Sequence, residues 1–350
     1  MTSAVEFDRV ASQQRMSLTS SSRDDRQLIR CAALAASSHN TQPWRFGVTP
    51  DAITIIADFG RRCPVVDPDD AHLFKSLGCA VENLVQAAAA QGLAADVRFD
   101  ANADAVVVGL TSSVTASATE LFEAIGSRQS TRHAFDGTPV VAEELAMLEV
   151  AGTGPDVRTV MITDRDRLES IGALVADGNI AQLTDRPFRR ELLSWIRFNP
   201  TTALRAGDGL AGRCAGNPSL PTPLGRLLAP LVIRAQPQAK TDVANIQSSA
   251  GVAVFATDGD DKPAWIEAGR AYQRFALQAA ALEVRTAFIN QPIEVQALRA
   301  RLDALVGLDG QHAQLAIRFG HGDVAPYSVR RPIDDVIETD IDVSEQEVTP

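Results

Sequence analysis

The sequence predicts an α+β fold in which one plan of helices and strands occurs twice. Two long segments carry apolar residues at helical spacing, and short β-rich apolar runs lie around them. The apolar positions three or four residues apart are Leu73, Leu77, Ala80, Val81, Leu84 and Val85 in the first segment, and Ala268, Ala271, Tyr272, Phe275 and Ala279 in the second. Each segment therefore predicts a helix whose single apolar stripe packs on a sheet.

The elements of the two predicted copies follow in the same general order. The first copy is predicted to contain a helix over about Asp25–Ala36, strands at Trp44–Val48 and Ile53–Ala57, a helix at Leu73–Gln91, and strands near Val97 and at Val106–Leu110. The second is predicted to contain a helix at Glu143–Val150, a strand at Val157–Thr163, a helix near Leu168–Ala176, a strand at Val252–Ala256, a helix at Ala268–Leu282 and a strand at Leu315–Phe319. Gly92 lies where the first long helix would end, as expected of a residue that tolerates positive φ.

Composition and charge indicate a globular chain and disfavour several classes of partner. The chain has 350 residues, of which 45% are hydrophobic and 22% charged, enough for one large core or two ordinary ones. A net charge of −11 and a pI near 5.0 disfavour nucleic acid and membranes as partners. Without a secretory signal or a long apolar run, the chain is predicted to be cytoplasmic. Because the cysteines are scattered, we expect no metal site and no disulfide, only buried thiols at Cys31, Cys63, Cys79 and Cys214.

The stretch from Ala35 to Phe46 constrains the chemistry more than any other. It reads Ala-Ala-Ser-Ser-His-Asn-Thr-Gln-Pro-Trp-Arg-Phe, which is a helix end with hydroxyl and amide groups and then a turn through Pro43 into an aromatic strand. Such a corner presents neutral hydrogen-bonding groups that suit a flat ring with polar edges. We refer to residues 37–44 as the corner.

At the corner the sequence resembles the nitroreductase-like flavoprotein family, in which the S-S-x-N-x-Q-P-W-x-F segment lies against the ring of FMN. The resemblance implies that Ser37, Ser38 and Asn40 contact the ring. Gln42, Pro43 and Trp44 are expected to form the turn and the core, since a Trp buries a large area. His39 is not required by the family pattern and is interpreted as structural or solvent-facing, not as a base.

A second motif, Ser127-Arg-Gln-Ser-Thr-Arg-His-Ala-Phe135, is basic and rich in hydroxyls. In extended backbone the side chains of Arg128, Ser130 and Arg132 project to one face and can converge on one phosphate. The alternative is a solvated basic turn, and the presence of the corner favours the phosphate. The run also resembles the R-x-S-x-R phosphate-binding opening of nitroreductases.

Two further segments resemble parts of the family's site. Tyr327-Ser-Val-Arg-Arg-Pro332 resembles the closing segment, where an arginine returns to the FMN phosphate, and either Arg330 or Arg331 would be that residue. Ala287-Phe-Ile-Asn-Gln-Pro-Ile-Glu294 resembles the P-I-E-G loop, whose backbone approaches flavin N5, but it has no Gly after the Glu. The candidates that the resemblance implies there are Phe288, Ile289 and Asn290.

The two copies complement each other, because the second lacks the corner and has Ala151-Gly-Thr-Gly-Pro-Asp-Val-Arg158 in its place. Nitroreductases are usually homodimers with FMN at the interface, so the resemblance implies a fused pseudo-dimer with a single FMN, like the Acg-like branch. The predicted division is a polar N-terminal extension over 1–25, a first repeat over 26–120, a second repeat over 121–337 and an acidic tail over 338–350. The second repeat carries an insertion rich in Gly and Pro over 184–240, interpreted as a lid.

The resemblance implies an FMN-dependent oxidoreductase that passes hydride from NAD(P)H through FMN to a planar acceptor such as a nitroaromatic or a quinone. The cofactor carries that chemistry, so no catalytic acid–base pair is expected. The alternative is a flavin-sequestering protein with a closed lid and little or no turnover. A third possibility is an interaction protein that has lost FMN. Internal pseudo-symmetry predicts a monomer or a weak homodimer.

Overall fold

The computed structural model describes residues 3–16, 18 and 22–338. The predicted acidic tail over 338–350 therefore lies outside the described residues, except for Glu338. Within the described part the chain is mixed helix and antiparallel sheet, so the predicted α+β class is confirmed.

The first half of the chain forms one four-stranded antiparallel sheet with helices against it. Its elements are α1 Ser3–Gln13, α2 Asp25–Ala33, β1 Trp44–Val48, β2 Ala52–Ala57, α3 Ala71–Ala90, β3 Leu93–Asp100, β4 Ala105–Ser112 and α4 Glu120–Glu123. The strands are ordered β1-β2-β4-β3. Asp24 caps α2, because its side chain accepts a hydrogen bond from the backbone N–H of Gln27.

The second half forms another four-stranded antiparallel sheet, with a long helical segment between its first two strands. Its elements are α5 Ala142–Gly152, β5 Arg158–Ile162, α6 Arg165–Thr184, α7 Arg186–Trp195, β6 Ile196–Arg197, α8 Pro200–Ala206, β7 Leu210–Ala211, α9 Thr222–Val232, α10 Ala235–Gln247, β8 Gly251–Thr257, α11 Lys262–Ala281, β9 Arg285–Phe288, α12 Gln291–Glu294, α13 Gln296–Val306 and β10 His312–Gly320. The strands are ordered β5-β8-β10-β9, and β6 and β7 form a small parallel pair.

The two main sheets have the same topology. In each, the first two strands are antiparallel neighbours, a 20-residue helix follows, and the last strand in sequence lies inside the sheet beside the second. This correspondence supports the predicted repeat and pairs α3 with α11. The division at residue 120 stays a prediction, since one hydrophobic core contains residues of both halves, among them Phe74 and Phe275.

The helices α3 and α11 cross at a pair of glycines. A Cβ built on Gly78 would lie 2.0 Å from the backbone O of Ile266, and one built on Gly269 would lie 2.0 Å from the backbone O of Lys75. The reciprocal contacts place the two helix backbones against each other at this point. The halves therefore face each other through equivalent helices, as a pseudo-dimer requires.

The segment without a counterpart in the first half covers everything between β5 and β8 and is therefore longer than the predicted insertion over 184–240. It is mostly helical, with α6 and α10 packed against each other. An ion pair between Asp208 and Arg61 ties the segment to the first half, and Asp208 also pairs with Arg197 within the segment.

The two ends of the described chain pack on the body. Within the predicted N-terminal extension, α1 buries Phe7 and Ala11 completely or nearly so, at 0% and 1% exposure. At the other end, the backbone N–H of Phe46 donates to Val336 O at 2.7 Å and that of Glu338 donates to Phe46 O at 2.8 Å, which adds the terminal segment to the edge of the first sheet. The four cysteines are free and buried, as predicted.

Candidate functional site

A cavity of about 430 Å³ lies between the two halves and beneath the inserted segment. Residues of the corner, of α3 and of α11, of the predicted phosphate motif and of the insertion line it together. Nine of the eleven predicted site residues line this cavity: Ser37, Ser38, Asn40, Arg128, Ser130, Arg132, Phe288, Asn290 and Arg330. Asn40 and Arg132 thus share one cleft, which is the geometry that a fused pair of half-sites needs.

The corner has a strained backbone. His39, Asn40 and Gln42 have φ values of 49°, 55° and 54°, a left-handed backbone conformation that residues other than Gly rarely adopt. Local hydrogen bonds hold it in place: the Gln42 N–H donates to Ser37 Oγ at 3.0 Å, and the Ser38 N–H donates to Ser76 Oγ at 3.3 Å. Strain of this kind concentrates at functional sites, where the surroundings over-determine the conformation.

The insertion is fastened to the corner by hydrogen bonds. The Asn40 side chain donates from Nδ2 to Gly209 O at 3.2 Å, and the Gly209 N–H donates to Asn40 O at 3.2 Å. The buried Gln42 donates from Nε2 to Gly207 O at 2.8 Å and accepts from the Arg331 N–H at 2.9 Å. Asn40 was expected to contact the ring, but its side chain uses part of its hydrogen-bonding capacity to hold the insertion over the cavity.

Four arginines meet on one side of the cavity: Arg15, Arg128, Arg132 and Arg330. We call these four the arginine cluster. Among the described residues, no carboxylate forms an ion pair with any of the four. Two buried nitrogens, Arg15 Nε and Arg128 Nε, have no hydrogen-bond partner in the described part of the chain. Uncompensated buried charge and orphaned donors are costly, so the cluster fits an anion.

The pKa values of these guanidiniums report their mutual proximity. Burial, together with the charge of Arg128, lowers the pKa of Arg15 to about 10. Burial, with the charges of Arg15 and Arg128, depresses the pKa of Arg330 well below its usual range. Arg132 has accessible surface that faces the cavity, and desolvation by the surrounding protein lowers the pKa of its guanidinium. The charge of Arg128 thus disfavours the charged forms of Arg15 and Arg330, and that of Arg15 disfavours the charged form of Arg330.

Of the two arginines that the sequence left open, Arg330 lines the cavity and Arg331 is not among its lining residues. The Arg330 guanidinium donates to Ala33 O at 3.1 Å, Leu34 O at 3.1 Å and Ala35 O at 3.2 Å, the free carbonyls at the end of α2. It therefore supports the wall of the site as well as its charge.

The structure does not place Arg331 and Ile289 among the residues that line the cavity. Arg331 donates from Nη1 to Gln42 O at 3.2 Å and Trp44 O at 3.3 Å, so its side chain fixes the strand that follows the corner. Ile289 is 3% exposed, packs in the core beneath the second sheet, and donates its N–H to Ala316 O at 2.9 Å. Its backbone is thus already paired within the sheet, while its neighbours Phe288 and Asn290 line the cavity.

The loop that resembles P-I-E-G also differs from the expectation. It forms the short helix α12, in which the Glu294 N–H donates to Asn290 O at 2.9 Å. This N–H is therefore engaged, and the side chain of Glu294 lines the cavity instead.

A second group of titratable side chains lines the cavity: His72, Lys75 and Glu294. His72 Nε2 lies 3.6 Å from Glu294 Oε1, and Gln182 donates from Nε2 to Glu294 Oε2 at 2.6 Å. Burial raises the pKa of Glu294 to about 7 and lowers that of Lys75 to about 7. Desolvation also lowers the pKa of His39 to about 4, which makes it a neutral wall residue and agrees with the interpretation that it is not a base.

Sequence reasoning missed Arg15 and the group around Glu294. A signal for the latter exists: His72, Lys75, Ser76 and Cys79 follow helical spacing, so they lie on one face of α3. For Arg15 no local pattern was available, since it reaches the site only because α1 docks on the insertion.

The chain was compared with known proteins. No family model matches it. Two proteins of Mycobacterium tuberculosis strains, each named "Putative NAD(P)H nitroreductase", are 29% identical to it over 323 residues, which cover 89% of this chain and 90% of each relative. This similarity supports the predicted resemblance of the chain to the nitroreductase-like family.

Solved structures also resemble the chain. A nitroreductase with bound FMN from Bacteroides fragilis is 15% identical, with a TM-score of 0.37, over 59% of this chain and 90% of that one. An NADPH:FMN oxidoreductase from Vibrio harveyi complexed with NAD⁺ is 15% identical, with a TM-score of 0.39, over 66% of this chain and 80% of that one. Among the described helices of this chain, none has the length and apolar character to cross a bilayer.

Proposed function

We propose that the chain is an FMN-dependent oxidoreductase of the nitroreductase type. The observation that carries the proposal is the arginine cluster, which has no carboxylate partner in the described residues and opens into the cavity that the corner also lines. The volume of about 430 Å³ lies within the range of cofactor sites. The relatives named as NAD(P)H nitroreductases point in the same direction.

The residues present fit FMN. Arg128, Ser130 and Arg132 would hold the phosphate through charge-assisted hydrogen bonds. Ser37 and Ser38 would face the ring with neutral polar groups, and Phe288 supplies an aromatic surface. When bound, FMN would supply hydride transfer between NAD(P)H and a planar acceptor such as a nitroaromatic or a quinone. The chain's own task is to bind, to orient and to exclude water.

A sequestering protein is the second candidate, and the fastening of the insertion favours it. The hydrogen bonds of Asn40 and Gln42 and the ion pair of Asp208 with Arg61 join the insertion to the first half. A lid held in this way would restrict the access of nicotinamide and of acceptors to the cavity. A monomer is the assembly we propose, since the pseudo-two-fold contact lies within one chain.

The absorbance spectrum of the purified chain, with identification of any released ligand, tests the proposal. A yellow protein that releases FMN supports it, and a chain that stays colourless after incubation with FMN refutes it. Stopped-flow mixing with NADH or NADPH then separates the two candidates. An oxidoreductase loses its yellow absorbance on mixing, whereas a sequestering protein responds only to dithionite.

A further inference from the structure

The N-terminal helix α1 belongs to neither repeat, yet it is built into the arginine side of the cavity. Phe7 and Ala11 are buried in a small core with Ala203, Ala211 and Val329, which come from the insertion and from the C-terminal segment. An ion pair between Asp8 and Arg213 joins α1 to the insertion as well. The helix is therefore docked on the elements that enclose the cavity.

The residues that follow α1 position an arginine in the cavity wall. Gln14 makes a two-way contact with the backbone of Arg330, donating from Nε2 to its O at 2.8 Å and accepting from its N–H at 2.8 Å. Arg15 donates from Nη1 to Ala11 O and to Ser328 O, each at 3.1 Å, and its guanidinium lies 4.6 Å from the Tyr327 ring centroid. These contacts fix the guanidinium in one place.

Arg15 nevertheless has an unused donor. The side chain lines the cavity, the residue is only 9% exposed, and its Nε has no hydrogen-bond partner in the described part of the chain. The neighbouring charges of Arg128 and Arg330 repel it, so docking α1 brings a third buried cation to two others. A bound anion would turn that repulsion into attraction.

We propose that Arg15 is an anion-binding residue of this cavity, and that a phosphate monoester bound there fastens α1 to the body of the protein. The inference rests on the proposed function in taking the FMN phosphate as that anion. Because the same contact joins ligand and helix, the coupling is reciprocal: phosphate binding stabilises the docked helix, and the docked helix tightens binding.

The test uses the full chain with the variants Arg15→Gln and, as a matched control, Arg9→Gln. Arg9 lies on α1, six residues before Arg15, but is exposed and pairs with Glu6. FMN and riboflavin, which lacks the phosphate, are titrated into the apoprotein by fluorescence. We expect Arg15→Gln to weaken FMN binding about tenfold or more, because a hydrogen bond between charged groups is lost. Riboflavin affinity should not change, and Arg9→Gln should match the wild type with both ligands.

Hydrogen exchange of the amides of α1 gives an independent measure. In the wild type we expect FMN to raise the protection of residues 3–13 about tenfold, and in Arg15→Gln to leave it nearly unchanged. Unaltered FMN affinity in Arg15→Gln overturns the inference, and so does an equal loss of FMN and riboflavin affinity, which would indicate a merely structural role.

Failure of the proposed function is distinguishable from failure of this inference. If the wild type binds no FMN, inorganic phosphate takes its place in the exchange experiment. Protection of α1 that rises with phosphate in the wild type but not in Arg15→Gln then supports the Arg15 site. Protection that is indifferent to phosphate overturns it.

Discussion

Adding one methyl group at the crossing of α3 and α11 should destabilise the fold strongly. In Gly78→Ala the new Cβ would lie 2.0 Å from the backbone O of Ile266, where ordinary contact begins at 3.4 Å. Backbone cannot turn aside as a side-chain end can, so the two helices must separate by more than an ångström. Alanine gains about 1 kcal/mol of helix propensity, but overpacking in a close-packed core costs about 1–3 kcal/mol and occasionally more. A contact this short lies at the upper end of that range of costs, and we expect the free energy of unfolding to fall by about 2 kcal/mol or more.

The matched control is Gly172→Ala in α6. There the nearest atoms to a new Cβ are the Val243 methyls at 3.9 Å, which is ordinary contact. This variant should gain about 0.5–1 kcal/mol from helix propensity alone. Urea or guanidinium unfolding of both variants and the wild type gives the comparison. If Gly78→Ala unfolds at the denaturant midpoint of Gly172→Ala, the two halves do not meet as described.

Three further perturbations test the site. Arg132→Leu should weaken FMN binding about tenfold or more yet keep the thermal stability, because this guanidinium lines the cavity and has no carboxylate partner in the described residues; loss of riboflavin affinity to the same degree would contradict a phosphate role. Gln42→Ala should cost about 1–3 kcal/mol in denaturant unfolding, since it leaves the Arg331 N–H without its acceptor, and it should speed the bleaching of bound flavin by NADPH if the insertion seals the cavity; unchanged stability would contradict it. Burial raises the pKa of Glu294 from an ordinary 4.5 to about 7, so its contribution to stability is complete below pH 4.5 and is lost as the pH rises through about 7. Glu294→Gln should therefore have a higher Tm than the wild type at about pH 8 and the same Tm at about pH 4. The same difference in Tm at all pH values would refute this.

Regular apolar spacing made the repeated elements predictable. The strand at Trp44–Val48 has the predicted bounds, and α3 and α11 begin two and six residues before the predicted starts at Leu73 and Ala268. The short strand β9, Arg285–Phe288, was missed because four residues carry too little alternation to be read. The helix α1 was missed because it is mostly polar and docks through only two fully buried side chains, Phe7 and Ala11.

The site was predictable to the extent that its residues lie in local motifs. The corner residues Ser37, Ser38 and Asn40 and the alternating Arg128, Ser130 and Arg132 all line the cavity. Arg331 and Ile289 do not, because the choice of partner for a side chain or an N–H depends on the fold: one guanidinium meets strand carbonyls, and one N–H completes the sheet. Arg15 could not be found at all from sequence, since its position results from a docking contact over 300 residues away in the chain.

Two different groups of ionisable side chains line the cavity. Their difference explains why a chain with two similar halves would have a single FMN site. The arginine cluster combines a residue that follows α1 with residues of the phosphate motif and the C-terminal segment, while the group around Glu294 combines α3 with α12. An arrangement with true two-fold symmetry would repeat both groups on each side of the α3–α11 crossing. The corner exists once, in the first half, and the arginine motif exists once, at the start of the second, so a single cleft can contain both. A second anion site related by the pseudo-symmetry would lack both motifs, and we therefore expect FMN to bind with a stoichiometry of one per chain; calorimetric titration that gave two equivalent sites would contradict this account of the repeat.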